Sequence, residues 1–109
     1  MAEFVRGDVV VVPFPFSDLS HAKRRPALVL VELEGDDRIL CQITSRPVGD
    51  QYAIKLDDEN FVDSGLKRPS NIRPNRIFTA DSHIILYRVG CLKEDMIDEV
   101  IMRVRDLFN

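Results

Sequence analysis

Helical periodicity occurs once in this chain, at its end, and that narrows the folds open to it. Met96, Ile97, Val100, Ile101, Val104, Leu107 and Phe108 recur at three- and four-residue spacing, the interval that gathers apolar side chains on one face of an α-helix. Glu94 and Asp95 fall in its first turn and Arg103 and Arg105 towards its end, the charge order that the helix dipole favours. No Ser, Thr or Asn stands in the usual capping place, which leaves the exact start open.

Everything upstream reads as short strands. Residues 9–12 are an unbroken valine run after the turn signal Gly7-Asp8, as expected for a buried strand, and Pro13 and Pro15 are expected to end it. A polar loop over 17–24 leads to a second strand, 26–33, with Pro26 at its first position. Residues 34–37 form a hairpin-type turn into a third strand, 39–44, and 52–56 alternates as a fourth. After a further polar connection, short strands are expected near 70–73 and over 83–89, with His83 leading the last. No crossover helices separate these segments, so five to seven strands closed by one helix fit a small barrel better than a βαβ fold. The fold class is mainly β with a C-terminal helix, in a single domain over residues 1–109. A chain of 109 residues buries a modest core, and dimerisation would hide more apolar surface.

Charge gives no general reason for nucleic-acid binding, because the net charge is −3 and the pI is near 5.3. Its distribution leaves two readings open. His21, Lys23, Arg24 and Arg25 cluster before the second strand, and Lys67, Arg68, Arg73 and Arg76 cluster in the later polar stretch. The acids gather instead at 57–59 and in the terminal helix. If the two basic clusters meet, an acidic protein still presents a local phosphate-binding surface; if not, they are two solvated loops. Phe14, Phe16, Phe61 and Phe78 flank the basic segments and read equally as stacking groups or as core. Thr44 ends the third strand, where its hydroxyl either reaches a phosphate or caps a turn with Ser45. His21 is either a proton carrier near neutral pH or an exposed loop residue. There is no Ser/His/Asp order, glycine-rich phosphate loop or metal-ligand spacing, so catalysis would rest on Arg, Thr and His, with no metal and no cofactor. Cys41 and Cys91 read as reduced thiols packed as small hydrophobes. Nothing resembles a signal peptide or a membrane span, and a cytoplasmic location is expected.

The run from Gly7-Asp8 through Pro13-Phe14-Pro15-Phe16-Ser17-Asp18, followed by Arg25-Pro26-Ala27-Leu28-Val29-Leu30, closely resembles the opening of the MazF/PemK toxin family. Ile39-Leu40-Cys41-Gln42-Ile43-Thr44-Ser45 is similar to the family's next strand. Gly65-Leu66, Pro69-Ser70 and Asn71-Ile72-Arg73-Pro74-Asn75-Arg76-Ile77-Phe78-Thr79 are similar to its later motif, and Gly90-Cys91-Leu92 to its step into the last helix.

The resemblance implies an SH3-like barrel acting as a homodimer, a toxin that cuts single-stranded RNA without metal, giving a 2′,3′-cyclic phosphate and a 5′-OH. It also implies a cognate antitoxin, an intrinsically disordered segment that covers the active groove. Carried over position by position, the catalytic arginine is Arg25, the catalytic threonine is Thr44, and Arg73 matches a third position used by some members. Lys23, Arg24, Ser45, Arg68, Arg73, Asn75 and Arg76 are the expected RNA-binding residues. The chain departs from the pattern before the Arg-Pro step, where many relatives carry a carboxylate and this one has Ser20, His21, Ala22, Lys23 and Arg24. Asn75 replaces an Asp found in some members and cannot act as a base, so His21 is the expected general base. Competing expectations are a non-catalytic SH3-like module that binds nucleic acid or protein, and a barrel toxin aimed at a protein such as a topoisomerase.

Overall fold

The computed structural model describes residues 4–14 and 23–109. Its antiparallel strands are β1 (Asp8–Phe14), β2 (Lys23–Glu32), β3 (Asp37–Thr44), β4 (Ile54–Leu56), β5 (Phe61–Ser64), β6 (Ser70–Asp81) and β7 (Tyr87–Leu92). They form one seven-stranded sheet in the order β4-β6-β3-β2-β1-β7-β5, curled into a half-barrel, and helix α1 (Glu94–Asp106) closes one side. The fold is therefore the mainly β, small-barrel type with a terminal helix that the strand pattern predicts.

Both faces of the central strands are apolar, which is why the valine run does not alternate with polar residues. Val9, Leu28, Leu30, Cys41, Ile43 and Ile72 point to the core shared with Met96 and Val100 of α1. Val10, Val12, Ala27, Val29, Leu40, Ala80 and Ile85 form a second cluster on the other face. In α1, Ile97, Ile101 and Val104 extend the buried stripe, and Lys93 at the N-cap makes no side-chain capping bond. Leu107 and Phe108 correct the expected helical face: they lie past the last turn and are exposed, Phe108 by 78%.

The prolines behave differently from expectation. β1 continues through Pro13 to Phe14, and β2 begins three residues before Pro26, at Lys23. The β1–β7 register stops at Val11–Tyr87 and the β2–β3 register starts at Ala27–Gln42. Each proline thus sits where its strand has a neighbour on one side only, and the missing N–H interrupts no ladder. The strand expected near 70–73 runs on to Asp81, because Pro74, Asn75 and Arg76 form a bulge: Gln42 pairs with Arg73, but the next residue, Cys41, pairs with Ile77. β5 falls within what reads as a polar connection. His83 does not lead a strand; it lies in a 3₁₀ turn, Ser82–Ile84, with Nδ1 2.7 Å from Asp81 Oδ1. Cys41 and Cys91 are not joined, and burial pushes the Cys41 thiol up to about 12. Among the described residues, no helix is long and apolar enough to cross a membrane.

Candidate active site

Three adjacent strands bring the site together through their register. Gln42 of β3 lies between Ala27 of β2 and Arg73 of β6, and Thr44 lies beside Asn71. Carrying the β2–β3 register two residues further sets Arg25 across from Thr44. Side chains alternate along a strand, and Leu28, Ile43 and Ile72 face the α1 core. Arg25, Gln42, Thr44 and Arg73 therefore share the opposite face. There they line a cavity of about 210 Å³ together with Arg46, Pro47 and Val48 from the segment after β3.

The polar groups of this cavity are held from below. Thr44 Oγ1 accepts the N–H of Arg46 at 3.2 Å, which turns the chain and leaves the threonine O–H as a donor. Asn71 Nδ2 donates to the Arg46 carbonyl at 3.3 Å and ties that turn to β6. Arg73 Nη2 donates to Asp50 Oδ2 at 2.9 Å, while Asp50 Oδ1 accepts the N–H groups of Tyr52 and Ala53. Burial works against the Asp50 charge, but the Tyr52 N–H, the Arg73 guanidinium and the Ala53 N–H outweigh it and hold the carboxyl below its ordinary range. Three guanidinium groups, Arg25, Arg46 and Arg73, thus converge on one opening, and its lining contains no carboxylate or histidine among the described residues. Such a site suits a phosphodiester: charge stabilisation from arginine, a fixed hydroxyl donor from threonine, and no described group that takes a proton near neutral pH.

The remaining predicted residues scatter. Lys23 and Arg24 are exposed at the start of β2. Arg24 points away from Arg25 and lines a different cavity, about 570 Å³, with Pro26, Lys67, Tyr87 and Arg88. The two basic clusters do meet, but as two pairings on opposite faces, Arg25 with Arg73 and Arg24 with Lys67. Ser45 is exposed beside Thr44. Arg68 lines a shallow cleft with Asp57, Asp58 and Lys67, outside the Arg25 cavity. Asn75 and Arg76 are exposed on the β6 bulge and do not line the cavity. His21 and Phe16 lie outside the described residues. Phe61 is core, and Phe14 packs on Phe78 with ring centroids 5.1 Å apart. Gln42 and Arg46 join the site without having been singled out in the sequence. The signal for Gln42 was its polarity inside an apolar strand; Arg46 stood directly after Thr44-Ser45. Asp36, Asp81 and His83 form an exposed group at the opposite end of β3, apart from this chemistry.

Residues 5–108 match the family model of the PemK-like, MazF-like toxins of type II toxin–antitoxin systems. The chain belongs to that family. No curated protein matches this PemK/MazF-like toxin. Among solved structures it is similar to MazE–MazF from Deinococcus radiodurans (TM-score 0.76, 21% identity, covering 96% of this chain and 95% of that one). It is also similar to an endoribonuclease in complex with its cognate antitoxin from a mycobacterial species (TM-score 0.74, 11% identity, 97% and 95% covered). A third is the Mycobacterium tuberculosis toxin MazF-mt6 (TM-score 0.70, 15% identity, 93% and 95% covered). The toxin fold thus spans nearly the whole chain at low identity.

Proposed function

We propose that this PemK/MazF-like toxin is a metal-independent endoribonuclease that cleaves single-stranded RNA. The observation that carries this reading is the convergence of Arg25, Thr44, Arg46 and Arg73 on one cavity at the ends of β2 and β3. In the reaction, the ribose 2′-oxygen forms a bond to phosphorus, the P–O5′ bond breaks, and the products are a 2′,3′-cyclic phosphate and a 5′-OH. The 2′-OH proton leaves to a base, and the departing O5′ gains a proton. Arginine stays protonated, so Arg25 and Arg73 stabilise the extra charge on the phosphorane-like transition state. Thr44 fixes a phosphate oxygen through its O–H. The cavity lining offers no base among the described residues, and Asp50 is held ionised against Arg73 as a weak one. His21 is the base in this reading. Replacing it with Gln should remove a limb of the pH–rate profile near neutrality, and an unchanged profile would eliminate that role.

The neighbours from D. radiodurans and mycobacteria were solved with antitoxins. We extend that to this chain: a disordered, acidic and apolar antitoxin segment covers the Arg25 cavity and competes with RNA. The toxin acts in the cytoplasm as a homodimer, in keeping with exposed apolar residues in one short run, Ile84, Leu86 and Tyr87.

The test is incubation with a long single-stranded RNA in excess EDTA, beside Arg25→Ala, with fragment ends mapped. Discrete cuts with 5′-OH ends, lost in the variant, support the enzyme. One observation favours a second reading, a phosphate-binding module without catalysis: no described residue of the lining can take a proton. Intact RNA bound by folded, antitoxin-free protein would select it. A protein target such as a topoisomerase would leave the arginine-lined cavity without a role.

A further inference from the structure

Gln42 is buried to all but 9% of its surface, yet it lines the cavity that holds Arg25, Thr44 and Arg73. Its amide oxygen, Oε1, is buried and has no partner among the described residues. Its cross-strand neighbours explain why. On one side stands Ala27, whose methyl donates nothing; on the other stands Arg73, whose Nη2 is turned to Asp50. Arg73 Nε is itself buried without a described partner. Two neighbouring strands thus hold a covered, unfilled acceptor and a covered, unfilled donor on residues that line one opening.

That pair selects its ligand. A phosphodiester oxygen accepts from Arg73 Nε but carries no proton for Gln42 Oε1. Oε1 needs an O–H or N–H, and on the ligand the nearest such group to a phosphate held in this cavity is the 2′-hydroxyl of the nucleotide on its 5′ side. We infer that Gln42 Oε1 accepts a hydrogen bond from the ribose 2′-OH at the scissile phosphate, so that this residue distinguishes RNA from DNA and orients the attacking oxygen. The inference rests on the ribonuclease reading of the same cavity. An amide cannot keep the proton, so Gln42 orients the nucleophile while another group deprotonates it. The 2′-hydroxyl is the one group present in RNA and absent from DNA at this position.

The test compares two non-cleavable competitors of one sequence, differing at the nucleotide 5′ of the mapped cut. One carries a 2′-amino group, which keeps the donor; the other carries 2′-fluoro, which removes it. The wild-type toxin should bind the amino competitor about five- to tenfold more tightly, the worth of one neutral hydrogen bond. Gln42→Leu should lose that preference while its affinity for the fluoro competitor stays the same, which shows the phosphate contacts intact. Gln42→Met is a second variant of similar length should the leucine protein not fold. Equal binding of the two competitors by wild type, or a preference that survives in either variant, would overturn the assignment. If wild-type protein cuts no RNA, the ribonuclease reading fails by itself. The same amino and fluoro chemistries in random-sequence oligonucleotides then still report whether Gln42 reads the donor.

Discussion

Thr44 has one oxygen and, in the proposed reaction, two tasks: Oγ1 accepts the Arg46 N–H, and the O–H serves the substrate. Thr44→Val keeps the strand's shape and removes both, so kcat should fall by about 100–1000-fold, the usual cost of losing a fixed donor to transition-state charge. Thr44→Ser should retain most of the activity, as measured by steady-state cleavage of a short RNA. Asp50 acts one step further out, since its carboxylate holds Arg73 and closes the turn through Tyr52 and Ala53. The thiols make the opposite case, chemistry switched off by burial. Desolvation raises both Cys41, to about 12, and Cys91, where the Asp8 charge adds to it. At pH 8 the native protein should therefore react slowly with a thiol reagent, and both cysteines should react promptly once it is denatured. Fast labelling of Cys41 in the native state would show that the core opens. At this scale the candidate site was legible only through the family resemblance, which names Arg25, Thr44 and Arg73, three residues that the strands bring to one cavity. It was not legible for Gln42, because one polar residue in a strand names no partner until the neighbouring strands are in register.

Strands β5 and β7 show what elements demand of single positions. A Cβ added at Gly90 would lie 2.6 Å from the Asp63 carbonyl oxygen and 3.1 Å from the Phe61 ring, so only glycine lets β5 come this close. Gly90→Ala should cost about 1–3 kcal/mol, as overpacking does, and lower Tm by about 4–8 °C for each of them. Asp63 fastens the same pair: Oδ1 accepts the Cys91 N–H at 2.9 Å and Oδ2 meets Arg88, which also reaches the buried Asp8. The Cys91 N–H first, and then Arg88, hold the Asp63 carboxyl below its ordinary range. A lowered carboxyl stabilises the fold above its unfolded pKa, about 3.9, and loses that contribution as pH falls through the folded value. The Tm gap between wild type and Asp63→Asn should hold steady from neutral pH down to about 5 and close below about 4. β5 itself was hidden in the sequence because Val62, Asp63 and Ser64 are exposed and only Phe61 is buried. An edge strand with one apolar residue carries no alternation to read. β1 and α1 were legible for the converse reason: their burial is written in valines and in a three-and-four spacing.

As a whole the molecule is acidic, with a net charge of −3, and concentrates cationic side chains at two small openings on opposite faces. RNA affinity should then respond to salt through the arginines of one opening and not through overall charge. Three phosphate contacts, one each for Arg25, Arg46 and Arg73, correspond to a log–log slope of about −2 for a single strand. A much steeper slope would mean that the Arg24 and Lys67 side also carries the chain of phosphates. The topology was foreseeable only in part, since the strand order places β6 beside both β3 and β4, and β7 beside β1, the last a pairing that spans most of the chain. The bulge at residues 74–76 has a consequence of its own for how such a chain can vary. It uncouples two halves of one long strand: Arg73 keeps step with Gln42 on one side, and Ile77 with Cys41 on the other. One glycine inserted after Asn75 should be absorbed with little loss of Tm or activity. The same glycine inserted after Ile72 would take the place of Arg73 beside Gln42 and turn the Arg73 side chain towards the core. The middle of β6 is thus where a lineage of such proteins can gain or lose length without touching its chemistry, and where a reporter peptide could be threaded into a working toxin.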